Sequence, residues 1–145
     1  MPAWVNDGYQ EYARRLPREC SLSLTEIPLG QRAKSSAVER AIAEEGARML
    51  AAIPANQRVI ALDVKGRSWS TEQLAGQLGL WMQDGRNVSL LVGGPDGLSA
   101  DCLVRAEQRW SLSPLTLPHP LVRVLLAEQL YRAWTVTTGH PYHRA

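Results

Sequence analysis

What this sequence lacks narrows the field before any motif is read. It lacks an excess of one charge: a net charge of only +2 gives no argument by itself for a nucleic-acid partner. It is poor in cysteine, with only Cys20 and Cys102 and no metal-type spacing between them. Two such thiols are expected to stay reduced in the cytoplasm. No uninterrupted apolar run approaches a membrane span, because Arg123, Glu128 and Arg132 break the most apolar helical stretch. No signal peptide, internal repeat, low-complexity tract or interdomain linker is visible. Two phosphate-binding signatures are also missing. A P-loop needs Lys-Ser/Thr after its glycines where this chain has Leu98-Ser99, and no G-x-G-x-x-G occurs. What is left reads as one domain, residues 1–145, with 45% hydrophobic and 21% charged residues and enough length to bury its own core.

Periodicity and punctuation give the elements. Trp4, Tyr9, Tyr12 and Leu16 recur at helical intervals until Pro17, with Arg14, Arg15 and Arg18 near the end, where cations suit the helix dipole. Leu22 to Ile27 reads as a strand, and Pro28 to Ser35 as a solvated loop carrying Gly30, Arg32 and Lys34. Ser36 and Glu39 form a capping-box signature for a helix to about Ala52, with Val38, Ile42, Met49 and Leu50 facing the core. Arg58 to Val64 is a buried strand ended by Lys65-Gly66. Asp63 at its end is more simply a turn cap than a catalytic base. Ser70 and Gln73 open a second capped helix with Leu74, Leu78, Trp81 and Met82 on one face, and Gly85 closes it. Strands alternating with helices predict an α/β fold, with a largely parallel sheet flanked by helices.

Two stretches then stand out. Val88 to Val92 reads as a strand buried on both faces, and it runs into Gly93-Gly94-Pro95-Asp96-Gly97. Glycines there let the chain turn sharply and let a ligand approach the backbone, at the strand end where open α/β sheets bind ligands. The second stretch alternates small polar and apolar residues from Ser111 to Leu117. Pro118-His119-Pro120 interrupts it, and Leu121 to Trp134 follows at helical spacing. An irregular apolar loop between a strand and a long helix suits a flat aromatic ligand, whose edge free backbone groups could read.

LLVGGPDGLS, the WSLSPLTLPHPLVRVLLAEQLYRAW run and the terminal HPYHR resemble a small bacterial ribosomal RNA methyltransferase family of the SPOUT (α/β-knot) superfamily. The likeness extends back in order through LDVKGRSWST to PAWV, nearly the whole chain. The resemblance implies a C-terminal trefoil knot, S-adenosylmethionine as methyl donor, and ring nitrogen 3 of a pseudouridine in large-subunit (23S) ribosomal RNA as acceptor. It further implies a cytoplasmic homodimer acting on the assembled ribosome. Carried over residue by residue, Leu62, Gly93, Leu112, Ser113, Pro114, Leu115, Thr116 and Leu117 would contact the donor. His119, Tyr142, His143 and Arg144 would serve the acceptor: an imidazole as base, a guanidinium for developing charge or phosphate, and a ring to stack on a base. Tyr142 to Arg144 reads as a flexible basic tail. His140 and His143 lack a third ligand, so zinc is not expected. Family members begin with a further strand before the position of Met1, so the first strand is expected to be missing here. Two other readings on the same fold stay open, a non-catalytic ribosome- or RNA-binding module and a transfer RNA methyltransferase.

Overall fold

The computed structural model describes residues 1–30 and 37–144, with the backbone but not the side chain of Arg144. In chain order the elements are α1 (Ala3–Ala13), α2 (Ala37–Ala52), β1 (Arg58–Ser68), α3 (Thr71–Asp84), β2 (Val88–Leu91), α4 (Ala100–Arg105), β3 (Gln108–Ser111) and α5 (His119–Thr138). Short 3-10 turns lie at Arg18–Cys20 and Pro141–Arg144. The chain divides into two compact units, one of Met1–Leu24, Trp69–Gly85 and Leu117–Ala145, the other of Thr25–Ser68 and Arg86–Thr116.

The first unit is helical. Both α1 and α3 pack on α5. Leu126, Ala127, Leu130, Tyr131, Ala133 and Thr135 of α5 are buried, around more than one face, as a helix with neighbours on two sides requires. They meet a core that includes Val5 and Tyr9 of α1 and Leu74, Ala75, Leu78 and Trp81 of α3. Each large side chain fully buried there contributes about 1.5–3 kcal/mol. The Ser70 hydroxyl accepts from the Gln73 N–H while Gln73 Oε1 accepts from the Ser70 N–H, the capping box the sequence predicts. Gly85 ends the helix in the left-handed region at φ 79°. Met82, expected in the core, is exposed, and Ala75 takes its place on the buried face. The first helix ends at Ala13 rather than at Pro17, and Trp4 is exposed.

The second unit is a three-stranded parallel sheet in the order β2-β1-β3. Val59, Leu91 and Cys102 form a core cluster with Met49, Leu50, Ile53, Leu98 and Ala106 around it. Four expectations change here. Leu22 to Ile27 forms no strand, because its alternation supplies a face but no ladder partner among the described residues. The Val88 strand is fully buried only at Leu91 and stops there. The strand expected to stop at Lys65 instead continues to Ser68. Leu62 and Arg67 both stand opposite Trp110, so Asp63 to Gly66 are carried outside the ladder between them. Gly66 makes this possible, since a Cβ there would lie 2.6 Å from the Arg109 carbonyl carbon. Finally, α4 and β3 were not anticipated. One is too short for helical periodicity to register, and the other, Gln108-Arg109-Trp110-Ser111, has no apolar run. Ser36, the expected helix cap, and Arg32 and Lys34 lie outside the described residues.

Candidate functional site

The sheet order itself points to a site. From β1 the chain passes to β2 on one side and then to β3 on the other. That reversal is the topological switch point beside which open α/β sheets bind ligands, at the carboxyl ends of the strands. Leu62 stands there on β1, in register with Trp110 of β3. Asp63 Oδ1 accepts from the Lys65 N–H at 3.3 Å, the turn-capping role its sequence context suggests. After β3 the chain leaves as a loop shaped by two serines. Ser111 Oγ donates to the Ser113 carbonyl at 2.9 Å, and the Leu115 N–H donates to Ser113 Oγ at 3.0 Å. Leu112 and Ser113 are half-buried, Pro114 and Thr116 exposed, and Leu115 is 72% exposed. Leu115 is thus an apolar side chain exposed on an ordered loop beside the switch point.

The glycine turn lies at the end of β2, on the far side of β1 from that loop. The Gly97 N–H closes it on the Gly94 carbonyl at 3.1 Å. A Cβ on Gly93 would sit 2.5 Å from the Gly97 carbonyl carbon, so the first thing that demands glycine here is the chain's own return. A small cleft between this turn and α2 is lined by Ile42, Glu45, Met49, Gly93, Gly94 and Ser99, among others. Glu45 is 7% exposed, and its Oε2 accepts from the Gly30 N–H at 2.8 Å. Sequence reasoning passed over this carboxylate. Its signal was present: Glu45 stands on the same helical stripe as Ile42 and Met49, where an acid is out of place.

In the helical unit the terminal residues are docked, not loose. Pro141–Arg144 forms a 3-10 turn packed on α5. The Tyr142 hydroxyl donates to Glu128 Oε2 at 2.8 Å, and Arg132 Nη2 donates to the same oxygen at 2.7 Å. The Tyr142 ring lies 4.7 Å from the Tyr131 ring, with the Arg132 and Arg15 guanidiniums 5.0 Å and 6.0 Å from its centroid. Burial first, then the hydrogen bond to Glu128, push the Tyr142 phenol up to about 12. His140 has a local task, its Nδ1 accepting from the Tyr142 N–H at 3.2 Å. His143 is half-buried, and its Nδ1 is buried without a hydrogen-bond partner among the described residues. His119 opens α5, with Pro120 in the first turn as the sequence predicts.

The sequence-derived positions thus fall into two groups. Leu62, Gly93 and Leu112 to Thr116 belong to the sheet unit, and Leu117, His119, Tyr142 and His143 to the helical unit. The side chain of Arg144 lies outside the described residues.

A parallel sheet in the order β2-β1-β3, with helices packed around it, places the chain among the α/β proteins. Comparison with known proteins makes the class specific. A family model described as "Predicted SPOUT methyltransferase" matches residues 1–143. A protein of Methylococcus capsulatus named "Ribosomal RNA large subunit methyltransferase H" is 59% identical over 99% of this chain and 93% of its own length. Proteins of the same name from Saccharophagus degradans and Alkalilimnicola ehrlichii are each 62% identical, covering 99% and 100% of this chain and 93% of their own lengths. The chain belongs to the SPOUT methyltransferase family. It is a methyltransferase on an α/β fold, as its sequence predicts.

Proposed function

We propose that the chain transfers a methyl group from S-adenosylmethionine to ring nitrogen 3 of a pseudouridine in large-subunit ribosomal RNA. It acts on the assembled ribosome, in the cytoplasm, as a homodimer. The observation that carries this reading is 59–62% identity, over 99% of the chain, to proteins named for large-subunit ribosomal RNA methylation. No helix among the described residues is long and apolar enough to cross a membrane. Leu121 and Leu125, one turn apart on α5 and 40% and 38% exposed, offer an apolar strip for a second copy. The knotted passage implied by the resemblance belongs to this reading.

Leu62, Gly93 and Leu112 to Leu117 would hold the donor, through apolar walls and loop backbone groups. The exposed Leu115 and the serine-shaped loop fit that task. Bound S-adenosylmethionine would supply a sulfonium methyl. Nitrogen 3 of pseudouridine carries a proton at neutral pH, so the residues of the chain must remove it. An imidazole, His119 or His143, accepts the proton, and the Arg144 guanidinium stabilises the imide charge that develops. Tyr142 completes the acceptor side.

The test is methyl transfer to ribosomes from a strain lacking this gene, with isolated ribosomal RNA and transfer RNA as alternatives. Nucleoside mass spectrometry should find a new methyl on pseudouridine, from ribosomes and not from transfer RNA. Methylation confined to transfer RNA, or none at all, would sink the proposal.

A further inference from the structure

We propose that Glu128 is a positioning residue, which receives the Tyr142 hydroxyl and thereby fixes the C-terminal turn that presents His143 and Arg144. The inference rests on the reading above, in which that turn serves the acceptor.

A Glu and an Arg at i,i+4 on one helix are common, and such a pair alone contributes a few tenths of a kcal/mol. Glu128 is used more fully than that. Its Oε2 takes the Arg132 Nε at 3.1 Å, the Arg132 Nη2 at 2.7 Å and the Tyr142 hydroxyl at 2.8 Å, while Oε1 takes Gln129 Nε2 at 2.6 Å. The Glu128 side chain is 13% exposed and that of Arg132 22%. One partner is fourteen residues away, so the carboxylate ties the end of the chain to the middle of α5.

The backbone is shaped to allow this. Gly139 leaves α5 in the left-handed region at φ 76°, and the His140 N–H returns to the Thr135 carbonyl at 3.0 Å. His140 then receives the Tyr142 N–H, which reverses the chain toward α5. Tyr142 meets a ring, two guanidiniums and a carboxylate at once. A side chain engaged on so many sides is an anchor. Its place in the site is to set the backbone of the next two residues, and Glu128 is the group that holds it.

The experiment compares Glu128→Gln, Tyr142→Phe and the double variant in the full chain. Tyr142→Phe keeps the ring and leaves α5 untouched, which guards against a Glu128 variant that folds poorly. Hydrogen exchange of the segment from Gly139 to Ala145, without substrate, reads docking directly. Both single variants should lose protection there, with S-adenosylmethionine affinity at the wild-type value. Turnover on ribosomes should fall by about tenfold or more with the KM for the donor unchanged, the pattern of lost orientation rather than lost binding. Because the two groups act through one bond, the double variant should be no worse than the poorer single. Unchanged exchange and full turnover in Tyr142→Phe would overturn the inference, as would additive losses in the double variant. A wild-type chain that methylates no ribosomes would instead sink the function proposed above, while the exchange readout still decides the anchor.

Discussion

Two turns of this protein are closed by different forces. The turn from Gly93 to Gly97 is backbone against backbone: one hydrogen bond joins Gly97 to Gly94, and the space where Gly93 would carry a Cβ is filled by Gly97 and Leu98 main chain. The turn from Pro141 to Arg144 is held chiefly by side chains, through Tyr142 on Glu128, Tyr131, Arg132 and Arg15. A steric constraint of the first kind admits no graded response, because a single added carbon must displace the backbone. The second kind can be loosened one charge or one hydroxyl at a time without disturbing the core. The fold therefore depends on the first turn, and only the placement of a few terminal groups depends on the second.

The sharpest way to break this contrast is Gly93→Val. With a Cβ 2.5 Å from the Gly97 carbonyl carbon, we expect a loss of about 3 kcal/mol in denaturant unfolding, or failure to fold. Wild-type stability would mean that the return of the chain does not need this glycine. Donor binding is better probed at Leu115, whose 72% exposure separates it from the core. Leu115→Asp should unfold as wild type yet bind S-adenosylmethionine about ten- to a hundredfold more weakly, from the loss of about 1.5–3 kcal/mol of apolar contact. Unchanged affinity by calorimetry would remove Leu115 from the donor site. A glycine without a neighbour should behave in the opposite sense to Gly93. A Cβ on Gly76, in α3, would meet nothing within 4 Å, so Gly76→Ala should raise stability by about 0.5–1 kcal/mol. A loss there would show that the position needs glycine for a reason other than packing within the chain.

The smallest effect concerns pH. The Tyr142 phenol is raised from an ordinary value near 10 to about 12, so its neutral form is the one the docked turn favours. Docking that depends on this proton is fully present below pH 10 and is lost as pH rises through about 12. Carboxypeptidase release of terminal residues, followed across the alkaline range, should stay slow up to the lower value. Release that begins near neutral pH would contradict the hydrogen bond to Glu128.

Local signals carried much of the fold in the sequence. The Ser70–Gln73 box, the Gly85 stop and the start of α5 at Pro120 are each decided within a few residues, and each stands in the structure as read. Features set by partners at a distance were not legible. Leu22 to Ile27 has a strand-like pattern and no strand beside it among the described residues, and Gln108 to Ser111 has little pattern yet pairs with β1. The extension of β1 past Lys65 depends on how closely Gly66 approaches β3. At the candidate site, the loop after Ser111 stood out by its own pattern and Leu62 came from family likeness, and both lie near the switch point of the sheet. Glu45 was missed because a carboxylate on an apolar stripe was read past. The docking of Tyr142 was missed because its partner lies fourteen residues away and terminal residues are usually frayed.

Under the proposed function, this methyltransferase binds its donor through one part of the chain and completes its chemistry with the terminal turn. Deleting Tyr142 to Ala145 tests it most directly, with S-adenosylmethionine affinity and methyl transfer to ribosomes measured on the same preparation. The expected result is wild-type affinity for the donor and collapse of transfer, the sign of lost transition-state stabilisation with ground-state binding intact. Full transfer by the shortened chain would contradict it, and the roles given to His143 and Arg144 would fall with it.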